Sequence, residues 1–297
     1  MIVSIFHKVP IGIRYVLMSA AGFALMATLV KWVSTYGIPV FEIVAARCLV
    51  SVVMSYVAVK RKGISILGNN RKLLFARGAI GTLALMCVYY ALTTLPLAEA
   101  TLLQYVHPVF TALLALFFLG EKITKYMVIC IALSLSGLLF IAGADVFSIA
   151  HASLPLLSVV LALMGALGSA IAYVIVRRLS KTEDSSVIIF YFPMIAFPLS
   201  VLLLGDNFVM PTFDVFILLI FIGVFTQIGQ LGMTMGMKTL AAGVASAYSY
   251  IQLVFTVALG WLVFSEIPVI TTWIGGALIV CGALVNVYGE MNRKKVR

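Results

Sequence analysis

Ten separate stretches of this chain stay apolar for roughly 20 residues, the length at which a helix crosses the hydrocarbon core of a bilayer. Lipid offers a backbone nothing to bond to, so such stretches must be helices that satisfy their own N–H and C=O groups. The spacing predicts spans at 12–36, 39–59, 73–94, 96–118, 124–143, 154–176, 185–204, 212–236, 241–264 and 269–289. Composition agrees: 63% of the 297 residues are hydrophobic and 10% are charged, against about 25% charged in soluble domains. Connections as short as Gly37-Ile38-Pro39 make neighbouring helices antiparallel hairpins. The expectation is an all-α polytopic membrane protein with no soluble domain.

A net charge of +10 would suit a nucleic-acid partner if the basic residues formed a tail, but they do not. With the N-terminus placed inside, Lys60, Arg61, Lys62, Arg71, Lys72, Lys122, Lys125, Arg177, Arg178, Lys181, Lys238 and the basic C-terminal end all fall on one side. The opposite loops receive none, so the positive-inside rule puts both termini in the cytoplasm and the chain in the cytoplasmic (inner) membrane. Trp32, Trp261 and Trp273 fall in the outer parts of their spans, as interfacial anchors do. Cys48, Cys87, Cys130 and Cys281 lie in apolar runs without CxxC or metal-ligand spacing, which reads as small buried hydrophobes. No metal or other cofactor is expected. The first apolar run becomes a full span without a small-residue cleavage site, so no cleavable signal is expected either.

The chain also repeats itself. Shifted by 145 positions, LPLAEATLLQYVHPVFTALLALFFLGE (95–121) falls on LAAGVASAYSYIQLVFTVALGWLVFSE (240–266). Leu95, Ala100, Tyr105, Val109, Phe110, Thr111, Leu114 and Glu121 then meet identical residues. Gly137 matches Gly282 at the same offset, and Gly22 and Lys31 match Gly168 and Arg177 at an offset one larger. Each copy, 12–143 and 154–289, holds five spans. Five is odd, so the second copy enters the membrane upside down. Inverted repeats build many secondary transporters, with the substrate near mid-membrane between the halves.

FEIVAARCLVS (41–51), LLFARGAIGTLALMCVYYAL (73–92) and the 95–121 stretch resemble the EamA family of the drug/metabolite transporter superfamily. The resemblance covers essentially the whole chain. It implies a 5+5 fold that carries small metabolites by alternating access. The FE…R and ARG…G wording is most similar to members that take up S-adenosylmethionine.

Ionisable groups inside a bilayer cost several kcal/mol unless they face a wet cavity or a partner. Glu99 reads either as an interfacial acid or as a cavity residue that binds substrate or a proton, with Glu42 and Lys31 at similar outer depth. Lys31 alternatively snorkels to the interface. His107 reads either as bonding a carbonyl freed by the break at Pro108 or as a site residue. Gln104, His107 and Thr111 form an i, i+3, i+7 stripe whose repeat counterparts are Ser249, Gln252 and Thr256, so both stripes are expected to line one cavity. Arg47 sits too deep for easy snorkelling and serves either a structural pair or a substrate carboxylate or phosphate. Tyr173, Gln227, Gln230, Tyr248 and Tyr250 are further candidate ligand contacts, with helix packing as the alternative. Arg77, beside a basic loop, reads as a snorkelling anchor. Glu121 and Glu266 read as caps for the helices that follow them.

An intramembrane enzyme and a channel are the rival readings. There is no HExxH, GxSxG or GxxxxGK[ST] stretch and nothing like a selectivity filter. The reading is therefore a secondary-active transporter of a small polar or zwitterionic metabolite, such as an amino acid or S-adenosylmethionine, with the lipid bilayer and that substrate as partners. Monomer and dimer both remain open.

Overall fold

The computed structural model describes residues 10–95, 97–142, 155–265 and 267–295, without the side chains of 97–99 and 293–295. Its regular elements are helical: α1 (Ile11–Ser34), α2 (Val40–Arg61), α3 (Arg71–Thr94), α4 (Leu97–Gln104), α5 (His107–Leu119), α6 (Lys125–Ala142), α7 (Leu156–Leu179), α8 (Ser185–Leu204), α9 (Phe213–Thr239), α10 (Ala242–Ala247), α11 (Ile251–Phe264) and α12 (Ile270–Lys295). Among the described residues these make ten crossings long and apolar enough for a membrane. Several starts are set by sequence. Pro10, Pro39 and Pro155 precede α1, α2 and α7, where no intrahelical donor is needed. Asn70 caps α3 by accepting the Leu73 amide, and Asp184 caps α8 by accepting that of Ser186.

Two crossings are broken. The fourth is α4 and α5, joined through Tyr105 and Val106, and the ninth is α10 and α11, joined by a 3-10 turn at Tyr248–Tyr250. Pro108 supplies the cause in the fourth: it cannot donate to the Gln104 carbonyl and its ring crowds that turn. The break in the ninth has no proline, and we have no local sequence cause for it.

The repeat is written in the backbone. Leu95 ends α3 at φ −112, ψ 154, and Leu240 ends α9 at φ −113, ψ 158. Gly120 ends α5 in the left-handed region at φ 63, ψ 23, and Ser265 ends α11 at φ 56, ψ 27. Ser265 thus adopts a conformation that favours glycine. Contacts repeat as well. A Cβ on Gly78 would lie 2.7 Å from Ile195 Cδ1, and one on its counterpart Gly223 would lie 2.6 Å from Val50 Cγ1, the counterpart of Ile195. A Cβ on Gly137 would lie 2.5 Å from the Gly275 carbonyl, and one on Gly282 would lie 3.0 Å from that of Cys130. The consequence is a pseudo-two-fold relation. α1 packs on α9 as α3 packs on α7, while α2 pairs with α8 and α6 with α12 across the axis. Lipid supplies no hydrophobic force between helices, so these small residues matter because they let backbones approach.

Glu121 does not cap the helix that follows it. Its Oε2 accepts the Ala242 amide at 2.6 Å, at the start of α10 in the other repeat, and its Oε1 accepts from Arg177 Nε at 2.7 Å. The favourable end of a helix dipole is used, but a distant helix supplies it. Arg177 Nη1 also donates to the carbonyls of Met237 and Lys238. The clasp lies on the face that carries the basic loops, near Lys62–Asp184 and near Glu183, which accepts the Asn69 and Asn70 amides. Glu266 lies outside the described residues.

Candidate functional site

The two broken crossings meet each other, and the meeting point is polar. Breaking the fourth helix leaves the Tyr105 carbonyl without an intrahelical donor, and the Tyr250 hydroxyl donates to it at 2.8 Å. The Tyr105 and Tyr250 rings stack at 5.7 Å between centroids. These residues are counterparts at the offset of 145, so the pseudo-axis runs between them. His107 does not take the role of bonding a freed carbonyl. Its Nε2 lies 3.3 Å from Ser249 Oγ, and its Nδ1 is buried without a partner. Gln104 Nε2 donates to Ser169 Oγ at 3.3 Å, while Gln104 Oε1 is also unpartnered. Thr111 and Thr256 spend their hydroxyls on the His107 and Gln252 carbonyls of their own helices.

From His107 the cluster extends across α7 to α3. Tyr173, on α7, stands edge-on to the imidazole at 5.4 Å. Arg77 is not a snorkelling anchor. It is 5% exposed, its Nη2 donates to Gln230 Oε1 at 3.3 Å, and its guanidinium stacks 4.8 Å from the Phe192 ring centroid. Helical side chains lean toward the N-terminus, which for α3 is the basic face. Arg77 instead folds the other way, over Gly81, where a Cβ would lie 2.7 Å from Nη1. The missing side chain at Gly81 makes this inward turn fit.

A second seam joins α2 to α9. Arg47, Ser51 and Ser55 share one buried face of α2, and Gln227 Nε2 donates to Ser55 Oγ at 2.8 Å. Arg47 Nε, Ser51 Oγ and Gln227 Oε1 are buried without partners. Gln227 and Gln230 lie one turn apart on α9, so the seam and the central cluster share that helix. Among the described residues neither Arg47 nor Arg77 has a carboxylate in ion-pair range; the described pairs are Lys62–Asp184 and Arg177–Glu121. Unpaired buried polar atoms in such numbers point to water or ligand.

Of the residues singled out from sequence, Gln104, His107 and Tyr250 come together at the breaks, with Gln252 half-buried on α11 beside them. Glu42 goes elsewhere: its Oε2 accepts the Val209 amide at 2.9 Å and ties α2 to the loop after α8. Lys31 is exposed at the opposite face, its ammonium 4.8 Å from the Phe264 ring. The Glu99 side chain lies outside the described residues. Sequence reasoning gave Arg77 to the interface and passed over Ser169. The available signal was Arg77 itself, a cation in an apolar run with no acid three or four residues away.

Comparison with known proteins places this architecture. The profile described as "EamA-like transporter family" matches residues 10–143 and again 156–288. The pseudopaline exporter CntI of Pseudomonas aeruginosa is 31% identical over 274 residues, 92% of this chain and 94% of the exporter. Solute carrier family 35 member G1 of Homo sapiens is 29% identical over 93% of this chain and 78% of its own length. A solved crystal structure shares the fold at 21% identity, with a TM-score of 0.77 over 90% of this chain and 95% of that one.

Proposed function

Because the chain belongs to the EamA-like transporter family, we propose that this multi-pass membrane protein is a secondary-active transporter of a small polar or zwitterionic metabolite, an amino acid or a derivative of one. The observation that carries the reading is the meeting of two symmetry-related broken helices around Tyr105 and Tyr250, flanked by buried polar atoms without partners. Transporter sites are built in this way, from discontinuous helices at the repeat interface. In an alternating-access cycle the Arg177–Glu121 clasp closes the basic face, which the charge distribution assigns to the cytoplasm of the inner membrane. The name of the exporter relative supports a small metabolite as cargo.

The test is counterflow into proteoliposomes loaded with one metabolite at a time from a library of amino acids and derivatives, S-adenosylmethionine among them. A carrier gives saturable, transient accumulation of labelled solute. Uptake that rises linearly with concentration and shows no overshoot would point to a channel. The orientation is tested with cysteines at Gly37 and Gly63, which an impermeant maleimide should label from opposite sides of the membrane.

A further inference from the structure

We propose that Arg77 seats a carboxylate of the transported molecule, an inference that rests on the transporter reading and names the chemistry of its cargo. Four observations support it. Arg77 is buried in the membrane-spanning part of α3 with its Nε unpartnered and no carboxylate of this chain in ion-pair range among the described residues. Removing a cation from water is strongly unfavourable unless a counter-charge replaces the lost hydration. The guanidinium is also pre-positioned. Gln230 Oε1 holds one edge, Phe192 covers one plane, and Gly81 makes room for it to face inward instead of reaching the nearby basic face. A planar fork held in this way suits a carboxylate, which it can meet with two parallel hydrogen bonds.

The repeat supplies the third observation. At the offset of 145 the counterpart of Arg77 is Ile222, 0% exposed, and that of Gly81 is Thr226, also buried. The neighbouring counterparts Gly78 and Gly223 make matching contacts. The architecture is therefore built equally well with isoleucine at this place, and the charge answers to something other than packing. The fourth is complementarity at the other end of the cluster. Tyr173 stands edge-on to His107, and Ser169, one turn away on α7, holds Gln104 with its Oε1 free to accept. An unpaired donor at Arg77 and an unpaired acceptor at Gln104 fit a molecule carrying both a carboxylate and N–H groups. A cargo whose only charge is positive leaves the Arg77 donor unmet.

The test uses purified full-length protein and three matched probe pairs in which the amide lacks every carboxylate: aspartate and its diamide, glutamate and its diamide, iminodiacetate and its diamide. Ligand bound to the folded state raises its melting temperature by mass action. The acids are expected to stabilise wild type more than their amides. Arg77→Ile, which the Ile222 counterpart indicates will fold, should abolish that preference and weaken apparent acid affinity about 30-fold or more. Arg77→Lys should restore part of it. Wild type that does not separate acid from amide overturns the proposal, and so does an Arg77→Ile protein that keeps the preference. Counterflow of the same six probes separates the two levels. Acids that bind through Arg77 but never exchange would sink the transporter reading and leave the seat standing. Saturable exchange of the amides at the same rate as the acids would do the reverse.

Discussion

Glu121→Gln should open the basic face. The substitution keeps the size of the side chain and removes its charge. That weakens the 2.7 Å contact with Arg177 Nε and the 2.6 Å contact with the Ala242 amide. Hydrogen bonds to a charged group contribute about 1.5–3 kcal/mol each. Both side chains of the pair are 16% exposed, so solvent screening lowers the yield. Arg177 also keeps its two carbonyl acceptors. A net loss of about 2 kcal/mol is expected, borne only by the state in which the clasp is closed. That changes the open-to-closed ratio by about 30-fold. Ser180, 1% exposed and with Oγ 3.5 Å from the Met237 carbonyl beside the clasp, is the reporter position. In a background without the four native cysteines, Ser180→Cys should react with an impermeant maleimide from the basic face up to about 30 times faster once Glu121→Gln is added. Removing both partners, as Glu121→Gln with Arg177→Gln, leaves no orphaned charge and should cost less melting temperature than Glu121→Gln alone. Equal labelling rates with counterflow intact would show that the clasp is an ordinary structural bridge, and the gating argument would fall.

Tyr250→Phe removes the only donor described for the Tyr105 carbonyl and should cost about 1–3 kcal/mol; an unchanged melting temperature would mean water replaces the hydroxyl. Gly137→Leu drives a side chain into the Gly275 carbonyl and should separate α6 from α12, lowering thermal stability by about 1–3 kcal/mol, whereas leucine at Gly276, where a Cβ meets nothing, should be tolerated. Burial alone would raise the Asp184 carboxyl, but hydrogen bonds from Lys62 and Ser186 outweigh it and hold it below its ordinary value. A depressed folded-state value contributes stability above the unfolded one, near pH 4, and loses it as pH falls through the folded one. The melting temperature of wild type should therefore drop faster below about pH 4 than that of Asp184→Asn. The difference is small, because the two side chains are 48% and 35% exposed, and parallel acid limbs would refute it.

The spans were legible because length and hydropathy are local properties, and the repeat because identical residues kept a constant offset from Leu95 to Glu121. The break at Pro108 was legible for the same reason: a missing donor is visible in one residue. What could not be read was direction. Arg77 sits beside a basic loop in sequence, and only the packing of Phe192 and the absence of a side chain at Gly81 turn its guanidinium inward. Glu121 precedes α6 by a few residues, yet the amide it finds belongs to α10, 121 residues away. Glu42 looked like a cavity acid because depth was the only coordinate available, and its partner is a loop amide at Val209. In each case the partner lay in a part of the chain distant in sequence.

The tyrosine stack at the break has a consequence for descent. A fused chain of two copies lets each copy drift separately, and most matched positions here have drifted, histidine against glutamine at 107 and 252, arginine against isoleucine at 77 and 222. Tyr105 and Tyr250 are different because each is the surface the other packs on. Had the two copies once been separate, identical subunits, a single mutation at this place would have altered both sides of the contact at once, and only self-complementary residues could have survived it. Two tyrosines stacked on each other, one hydroxyl reaching the other's backbone, are such a solution. The fused chain still carries a residue pair that would serve a symmetric dimer.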